Sequence, residues 1–202
     1  MVKTLAIFTA GGLARAVSSH FGGDWKVTHF IDSPRDLDER VYNIPVERVP
    51  RKDSGEKYVI ACGKPQRRKS LAEGYGVNWT HLVHRTATFA TQATLKEGTI
   101  ICPGVVVDPD VKIDKHVYID HNSVIGHGAE IGDYTVIAPL VLVAGYCKIG
   151  EGVHIGTGAK IVRDSNVGEN SIIGAGAVVL KDVPPNEVWA GVPAKKIGET
   201  DG

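Results

Sequence analysis

The second half of the chain carries a branched aliphatic residue at every sixth position. The run begins at Ile101 and continues through fourteen positions to Val179 without a miss, and Leu95, Phe89 and Val83 extend it toward the N-terminus. A period of six fits neither an α-helix nor a plain strand, and is typical of a short strand followed by a tight turn. We therefore predict a parallel β-helix in which three hexads form one coil and residues 18 apart stack in columns.

The positions around each aliphatic residue support the same prediction. The residue two places before it is small or β-branched, and the residue after it is often glycine, as at Gly126, Gly132, Gly150, Gly156, Gly168 and Gly174. We expect the aliphatic side chain to point into the coil and these glycines to adopt turn conformations that other residues avoid.

The N-terminal segment, up to Thr80, lacks the hexad and alternates strand and helix patterns. An apolar strand, TLAIF, leads through Gly11 and Gly12 into a helical stretch, a second strand ends at Asp32, and a third, YVIAC, precedes a helix opened by Pro65. This order predicts a small α/β, Rossmann-like domain with a phosphate site at the glycine turn. A tight turn with a surface aspartate is the alternative. The turn departs from G-x-G-x-x-G, so a dinucleotide cofactor is not supported.

Composition narrows the classes of partner. The 23 basic and 23 acidic residues cancel, which gives no electrostatic reason to expect nucleic acid or a membrane as partner. Three widely spaced cysteines form neither a disulfide framework nor a metal motif, and the N-terminal apolar run is too short for a signal peptide. We expect a cytoplasmic protein. The 24 glycines against 4 phenylalanines agree with a regular, aromatic-poor core.

The segment from Val83 to Val179 resembles the left-handed β-helix of hexapeptide-repeat acyltransferases, most of which are homotrimers. Its continuation, GAGAVVLKDVPPNEVWAGVPAKKI, is similar to the coil-ending segment and tail of the coenzyme A-dependent members. Together with the α/β domain, the whole chain resembles the bacterial nucleotide-sugar N- and O-acetyltransferases of the PglD and NeuD group. The implied architecture is mainly β, with a nucleotide-sugar domain over 1–80, a left-handed parallel β-helix over 81–186 and a tail over 187–202.

The resemblance implies an acetyl-CoA-dependent N-acetyltransferase. Its acceptor would be the amino group, at C4, of a nucleotide-linked deoxyamino sugar used in surface polysaccharide or glycan synthesis, and no metal is expected. By position, the nucleotide-linked sugar would contact Gly11, Gly12, Leu13, Asp32, Ser33 and Gly63. The acetyl-CoA would contact Val136, Gly145, Thr157 and Ala175, where the absence of a side chain at Gly145 would leave room for the thioester arm.

Acetyl transfer needs a base, and His127 is the expected one. It lies in NSVIGHGAEIGD, which matches the family segment that carries the catalytic histidine, and the resemblance places it at a turn that meets a neighbouring subunit. The family usually has an acidic residue directly after this histidine, whereas this chain has Gly128. Asp120, Glu130 or a backbone carbonyl could replace that acid.

Three other functions remain open from the sequence. A sialic acid-type O-acetyltransferase needs the same base as an N-acetyltransferase. A γ-class carbonic anhydrase uses the same β-helix with three metal-binding histidines, for which His81, His116 and His121 have similar spacing. An inactive scaffold is the third alternative, favoured by Gly128.

Overall fold

The structure is a computed structural model that describes residues 3–32, 40–51 and 55–200. An N-terminal parallel sheet with two helices precedes a long series of two-residue strands. Among the described residues, no helix is both long and apolar enough to cross a membrane.

The N-terminal sheet has the strand order β3-β4-β2-β1-β5. Strands β1, β2, β4 and β5 are parallel, and β3 is antiparallel to β4 at the sheet edge. The elements are β1 (Lys3–Phe8), α1 (Gly12–Phe21), β2 (Trp25–Ile31), β3 (Arg40–Val41), β4 (Ile44–Glu47), β5 (Lys57–Ile60) and α2 (Pro65–Gly74). The three predicted strands and both helices are present, and Pro65 is the first residue of α2 as expected. Strands β3 and β4 were not predicted from the sequence.

Between residues 82 and 179, all of which the structure describes, seventeen two-residue strands follow one another at intervals of six. They are β6 (Leu82–Val83), β7 (Thr88–Phe89), β8 (Thr94–Leu95), β9 (Ile100–Ile101), β10 (Val106–Val107), β11 (Lys112–Ile113), β12 (Tyr118–Ile119), β13 (Val124–Ile125), β14 (Glu130–Ile131), β15 (Val136–Ile137), β16 (Leu142–Val143), β17 (Lys148–Ile149), β18 (His154–Ile155), β19 (Lys160–Ile161), β20 (Asn166–Val167), β21 (Ile172–Ile173) and β22 (Val178–Val179). Two longer strands, β23 (Glu187–Ala190) and β24 (Lys195–Glu199), end the chain as an antiparallel pair.

Each short strand pairs in parallel with the strand three hexads away, so the chain forms a prism with three sheets. In each pair the second residue points inward. From Ile101 to Val179 these inward residues are at most 3 % exposed, and the small residues two places earlier are also buried. The predicted hexad, coil and columns are therefore confirmed. Strands β6, β7 and β8 also confirm the N-terminal extension of the register.

The three faces of the prism differ in chemistry. We call them face C (outward residues of β6, β9, β12, β15, β18 and β21), face D (β7, β10, β13, β16, β19 and β22) and face E (β8, β11, β14, β17 and β20). On face C, Leu82, Ile100, Tyr118 and Val136 are buried. Face E carries ion pairs such as Lys112 with Glu130.

The N-terminal domain is tied to the prism through α2. The buried guanidinium of Arg68 donates to the carbonyl oxygens of His116, Ile60 and Cys62 at 2.8, 2.6 and 3.0 Å. Lys69 of α2 reaches Glu151 at 2.7 Å. These bonds join the β5–α2 connection to a corner of the coil.

The expected role of the glycines after the inward residues needs correction. None of Gly126, Gly132, Gly150, Gly156, Gly168 and Gly174 has a positive φ. A Cβ on Gly156 would instead lie 2.6 Å from the backbone nitrogen of Ala175 on the next coil. Close approach between coils, rather than turn conformation, excludes side chains there. The left-handed conformation occurs two residues further on, and non-glycine residues such as Asn122 and Asn170 adopt it in many coils.

Candidate active site

A pocket of about 410 Å³ lies in the N-terminal domain, at the carboxyl ends of β1, β2 and β5. It brings together the five described residues that were expected to hold a nucleotide-linked sugar, namely Gly11, Gly12, Leu13, Asp32 and Gly63. The sixth, Ser33, lies outside the described residues. Such a position, beyond the carboxyl ends of parallel strands, is where ligands bind in open α/β sheets.

The glycines of this pocket leave its floor open. A Cβ on Gly11, Gly12 or Gly63 would meet no other atom within 4 Å. No side chain caps α1, whose first-turn amides therefore lack partners within the helix. These amides and the positive end of the helix dipole favour a phosphate group.

Two cations that line this pocket were not predicted from the sequence. Lys64 and Arg67, at the start of α2, line the same space. Arg67 approaches the Asp32 carboxylate at 3.3 Å, and the other Asp32 oxygen accepts from the Ala10 amide at 2.9 Å. A basic helix start at KPQRR, facing a glycine turn across parallel strands, is the signal that could have identified them.

His127 lies at a corner of the coil between faces D and E, with its side chain exposed. Its ring packs edge-on against Tyr146, with centroids 5.0 Å apart. A Cβ on Gly145 would lie 2.7 Å from His127 Nε2. The space left by Gly145, expected to accommodate the thioester arm, is thus filled by the His127 imidazole.

Neither acid expected to assist His127 contacts it within the chain. The Asp120 carboxylate bonds to His121, and Glu130 pairs with Lys112. Gly128 has a φ of +65°, and a Cβ there would lie 2.7 Å from the Tyr146 ring. Tyr146 therefore fills the place into which an acidic side chain after His127 would extend.

The corner between faces C and D forms the predicted donor column, which we define as His121, Pro139, Thr157 and Ala175. Thr157 and Ala175 are exposed, and among the described residues no acceptor is found for their amides or for the amide of Gly145. The amides of the exposed Thr157 and Ala175 are suitable donors for the amide chain of coenzyme A or for an oxyanion. Gly145 is itself buried beneath the His127 ring.

Val136 does not join this column. Its side chain is buried on face C, and its amide donates to the Val153 carbonyl at 2.9 Å. Val136 offers neither an exposed side chain nor a free amide, so the expected contact with acetyl-CoA is not supported.

The arrangement of the histidines disfavours the carbonic anhydrase alternative. His116 is buried beneath the N-terminal domain, stacked on Tyr134 at 5.7 Å and edge-on to Trp79 at 4.9 Å. Burial and the nearby Arg68 charge lower its pKa to about 4. Enclosed in this way, the His116 ring cannot reach a metal ion shared with another subunit.

The sequence and the structure were compared with those of known proteins. Residues 110–145 and 146–181 match the bacterial transferase hexapeptide family (six repeats). PerB, a perosamine N-acetyltransferase from Caulobacter crescentus solved with CoA and GDP-perosamine, is 26% identical, with a TM-score of 0.89 over 98% of this chain and 99% of that one. No curated protein matches the chain in sequence.

Two further structures agree. The acetyltransferase domain of PglB from Neisseria gonorrhoeae FA1090, in complex with acetyl coenzyme A, is 25% identical with a TM-score of 0.88, covering 96% of this chain and 99% of that one. WeeI from Acinetobacter baumannii AYE is 25% identical with a TM-score of 0.81, covering 96% and 100%. The resemblance to nucleotide-sugar acetyltransferases and the fold class, a left-handed parallel β-helix behind a small α/β domain, are confirmed.

Proposed function

We propose that this protein is an acetyl-CoA-dependent N-acetyltransferase that acts on the amino group of a nucleotide-linked deoxyamino sugar. One observation carries the proposal: the chain superposes over almost its whole length on an enzyme solved with CoA and a nucleotide-linked amino sugar. The glycine pocket and the donor column are separate, so the nucleotide-linked sugar can bind in the pocket and acetyl-CoA along the column. We further propose C4 as the acetylated position and surface polysaccharide or glycan synthesis as the setting, in the cytoplasm.

The N-terminal pocket would hold the nucleotide diphosphate. The first-turn amides of α1, together with Lys64 and Arg67, supply positive charge for the phosphates. The Asp32 carboxylate is an acceptor for ribose or base hydroxyl and amino groups. Titration with UDP, GDP and dTDP, followed calorimetrically, would identify the nucleotide.

Acetyl transfer would occur beside His127. The imidazole accepts a proton from the acceptor nitrogen as that nitrogen attacks the thioester carbonyl carbon. The amide of Gly145, one coil beyond His127, has no acceptor among the described residues but lies beneath the His127 ring. We propose that it donates to the developing oxyanion once that ring turns toward the acceptor. The C–S bond then breaks, and coenzyme A leaves as the thiol once it has received a proton.

We also propose a homotrimer with one site between each pair of neighbouring copies. In one chain the His127 corner and the donor column lie on opposite edges of face D, so a second copy must bring them together. At that level the outward residue of face D, Leu142, is 39 % exposed, and the corner residues on either side of it, Leu140 and Tyr146, are 60 % and 50 % exposed. Such a patch is typical of a surface that is buried on assembly.

The test is a panel of nucleotide-linked 4-amino sugars and their 4-hydroxyl counterparts, each incubated with acetyl-CoA and followed by thiol release. His127→Ala should lower kcat by about 10² to 10⁴, the usual contribution of a general base, while an exposed-histidine control, His81→Ala, should retain wild-type turnover. Full activity of His127→Ala would refute its role. Turnover only with hydroxyl acceptors would instead favour the O-acetyltransferase alternative.

A further inference from the structure

A second group of titratable side chains lies at the junction of α1 and the coil. We define the junction cluster as His20, His84, Asp120 and His121. The rings of His20 and His121 are 4.7 Å apart, and those of His20 and His84 are 6.3 Å apart. Burial, followed by the neighbouring His121 and His84, lowers the pKa of His20.

Within this cluster His121 has the carboxylate partner that His127 lacks. The Asp120 Oδ1 atom bonds to His121 Nδ1 and also accepts from the His121 amide at 2.8 Å. The Asp120 side chain is only 17 % exposed and that of His121 33 %. A carboxylate on Nδ1 orients the ring and leaves Nε2 as the reactive nitrogen.

Two buried side chains, those of Cys102 and Tyr118, lie next to the Asp120 carboxylate. The Cys102 thiol donates to the Tyr118 hydroxyl at 3.2 Å. Burial raises the pKa of Cys102 to about 12, so the sulfur is a protonated thiol at neutral pH. Although Cys102, Asp120 and His121 have ligand atoms within 4.8 Å of one another, a protonated thiol fits a hydrogen-bonded support better than a metal site.

The position of His121 connects the two substrate sites. It is the member of the donor column nearest the N-terminus, three coils or about 14 Å from Ala175 at the spacing of neighbouring strands. It also faces His20 in the last turn of α1, the helix whose first turn lines the nucleotide pocket. An acetyl-CoA arm lying along the column and a sugar extending past α1 would both approach His121.

The chemistry requires more than one proton transfer. An amino sugar is an ammonium ion at neutral pH and has no lone pair until it loses a proton. After attack on the thioester the nitrogen must lose a second proton. Of the two protons lost, one reaches the departing sulfur and the other reaches the solvent. Two bases can take these protons in turn.

We propose that Asp120 and His121 form an acid–base dyad that removes the first proton from the acceptor ammonium. This inference deepens the proposed function and depends on it. His121 Nε2 accepts the proton, Asp120 stabilises the imidazolium, and the proton passes to solvent. The free amine then forms the C–N bond, and His127 of the partner subunit takes the second proton and returns it to the sulfur as the C–S bond breaks.

The trimer proposal makes this pairing geometrically consistent. His121 and His127 lie on the same coil, one hexad apart on successive corners. Rotation about a threefold axis parallel to the coil axis does not change the height of a residue along that axis. His121 of one copy would therefore lie level with His127 of the partner subunit across face D.

The test compares pH–rate profiles of His121→Ala, Asp120→Asn and a control from the same cluster, His84→Ala. His121→Ala should lower kcat/KM for the amino sugar by about 10²-fold at pH 7. The loss should shrink as the pH approaches the pKa of the acceptor amine, because free amine then needs no base. Asp120→Asn should lower kcat/KM in the same pH-dependent way but by a smaller factor, because the imidazolium then lacks its carboxylate partner. His84→Ala should leave the profile shape and the KM for acetyl-CoA unchanged.

Different failures have different meanings. An inactive wild-type enzyme across the whole sugar panel would refute the proposed function, and the dyad's role with it. An active wild-type enzyme with an unaltered His121→Ala profile would refute the dyad alone, as would a uniform loss at every pH, which indicates a structural role. Stoichiometric zinc in purified protein that disappears in His121→Ala would also refute it.

Discussion

Gly128 and Tyr146 are stacked neighbours, three hexads apart on successive coils. The Tyr146 ring covers the site of a Gly128 side chain, and the Arg163 guanidinium lies 4.8 Å from the centroid on that ring. Left-handed geometry alone does not require glycine here, because Asp110 and Asp164 adopt it in the same column. The aromatic ring, rather than the backbone, accounts for the missing acid.

A double-mutant cycle tests this explanation. Gly128→Asp should lower the free energy of unfolding by about 1 to 3 kcal/mol, as overpacking usually does. In the Tyr146→Ala background the same substitution should cost much less, because the ring that it would meet is absent. Denaturant unfolding of the four proteins measures the difference. Equal costs in both backgrounds would show that the ring is not the obstacle.

His116 provides a residue-scale prediction about acid stability. Its pKa is about 4 in the folded chain and near 6.5 when unfolded, because burial and the charge of Arg68 oppose protonation; Glu97 raises it and Lys115 lowers it. Between those values the unfolded chain binds the proton more readily. The free energy of unfolding should therefore fall as the pH drops from 6.5 to 4, by about 3 kcal/mol in total.

Removing the imidazole should remove that part of the pH dependence. His116→Asn suits the site, since Asn122 and Asn170 adopt the same left-handed conformation at other corners. Urea unfolding at several pH values should give a flatter curve for His116→Asn, while His81→Asn, at an exposed position, should keep the wild-type slope. Parallel curves for His116→Asn and wild type would contradict the assignment.

At the scale of elements, the hexad determined most of what the sequence could predict. A strict period fixes strand positions, inward residues and columns, because each strand is very short and its possible partners lie three hexads before and after it. The residues that depend on three-dimensional proximity were not predictable in this way. The columns place Tyr146 next to Gly128, but the direction in which its ring turns follows from side-chain packing. The bond of Asp120 to His121 rather than to His127 likewise depends on side-chain orientation.

The N-terminal domain shows the same division. Its glycine turn and Asp32 were identified from strand ends, since the carboxyl ends of parallel strands meet at one edge. Lys64 and Arg67 were not, because a basic helix start is usually only a solvated surface. The edge strands β3 and β4 were missed, because β4 reads IPVE, in which a proline and a glutamate interrupt the apolar run that marked the other strands, and β3 is its two-residue partner.

Coil position should control the cost of deleting an inward side chain. Ile137 is fully buried between two neighbouring coils, whereas Leu95 lies near the first coil and is partly exposed. Ile137→Ala should cost about 2 to 5 kcal/mol, and Leu95→Ala distinctly less. Thermal or denaturant unfolding would compare them. Equal losses would contradict a stack stabilised mainly by nearest neighbours.

At the scale of the molecule, the three faces of the prism differ in what covers them. The N-terminal domain covers the first coils of face C, and the hydrogen bond from Arg68 to the His116 carbonyl joins the domain to the coil. Face E carries the Lys112–Glu130 pair and remains compatible with solvent. Face D has apolar side chains and no covering element among the described residues, and both proposed reaction corners border it.

Charge on face D should therefore disrupt assembly and activity together. Leu142→Asp places a carboxylate in the apolar patch, where burial against another copy would desolvate it. An ion pair with Lys160, its neighbour on β19, would recover only part of that cost. We expect monomers by light scattering and a loss of acetyl transfer at least as large as that of His127→Ala, because neither corner of one chain can complete the site. Lys148→Asp, on face E of the next strand, makes a larger charge change and should leave both properties intact. A Leu142→Asp protein that is trimeric and fully active would exclude face D as the interface, and an active monomer would show that one chain contains a complete site.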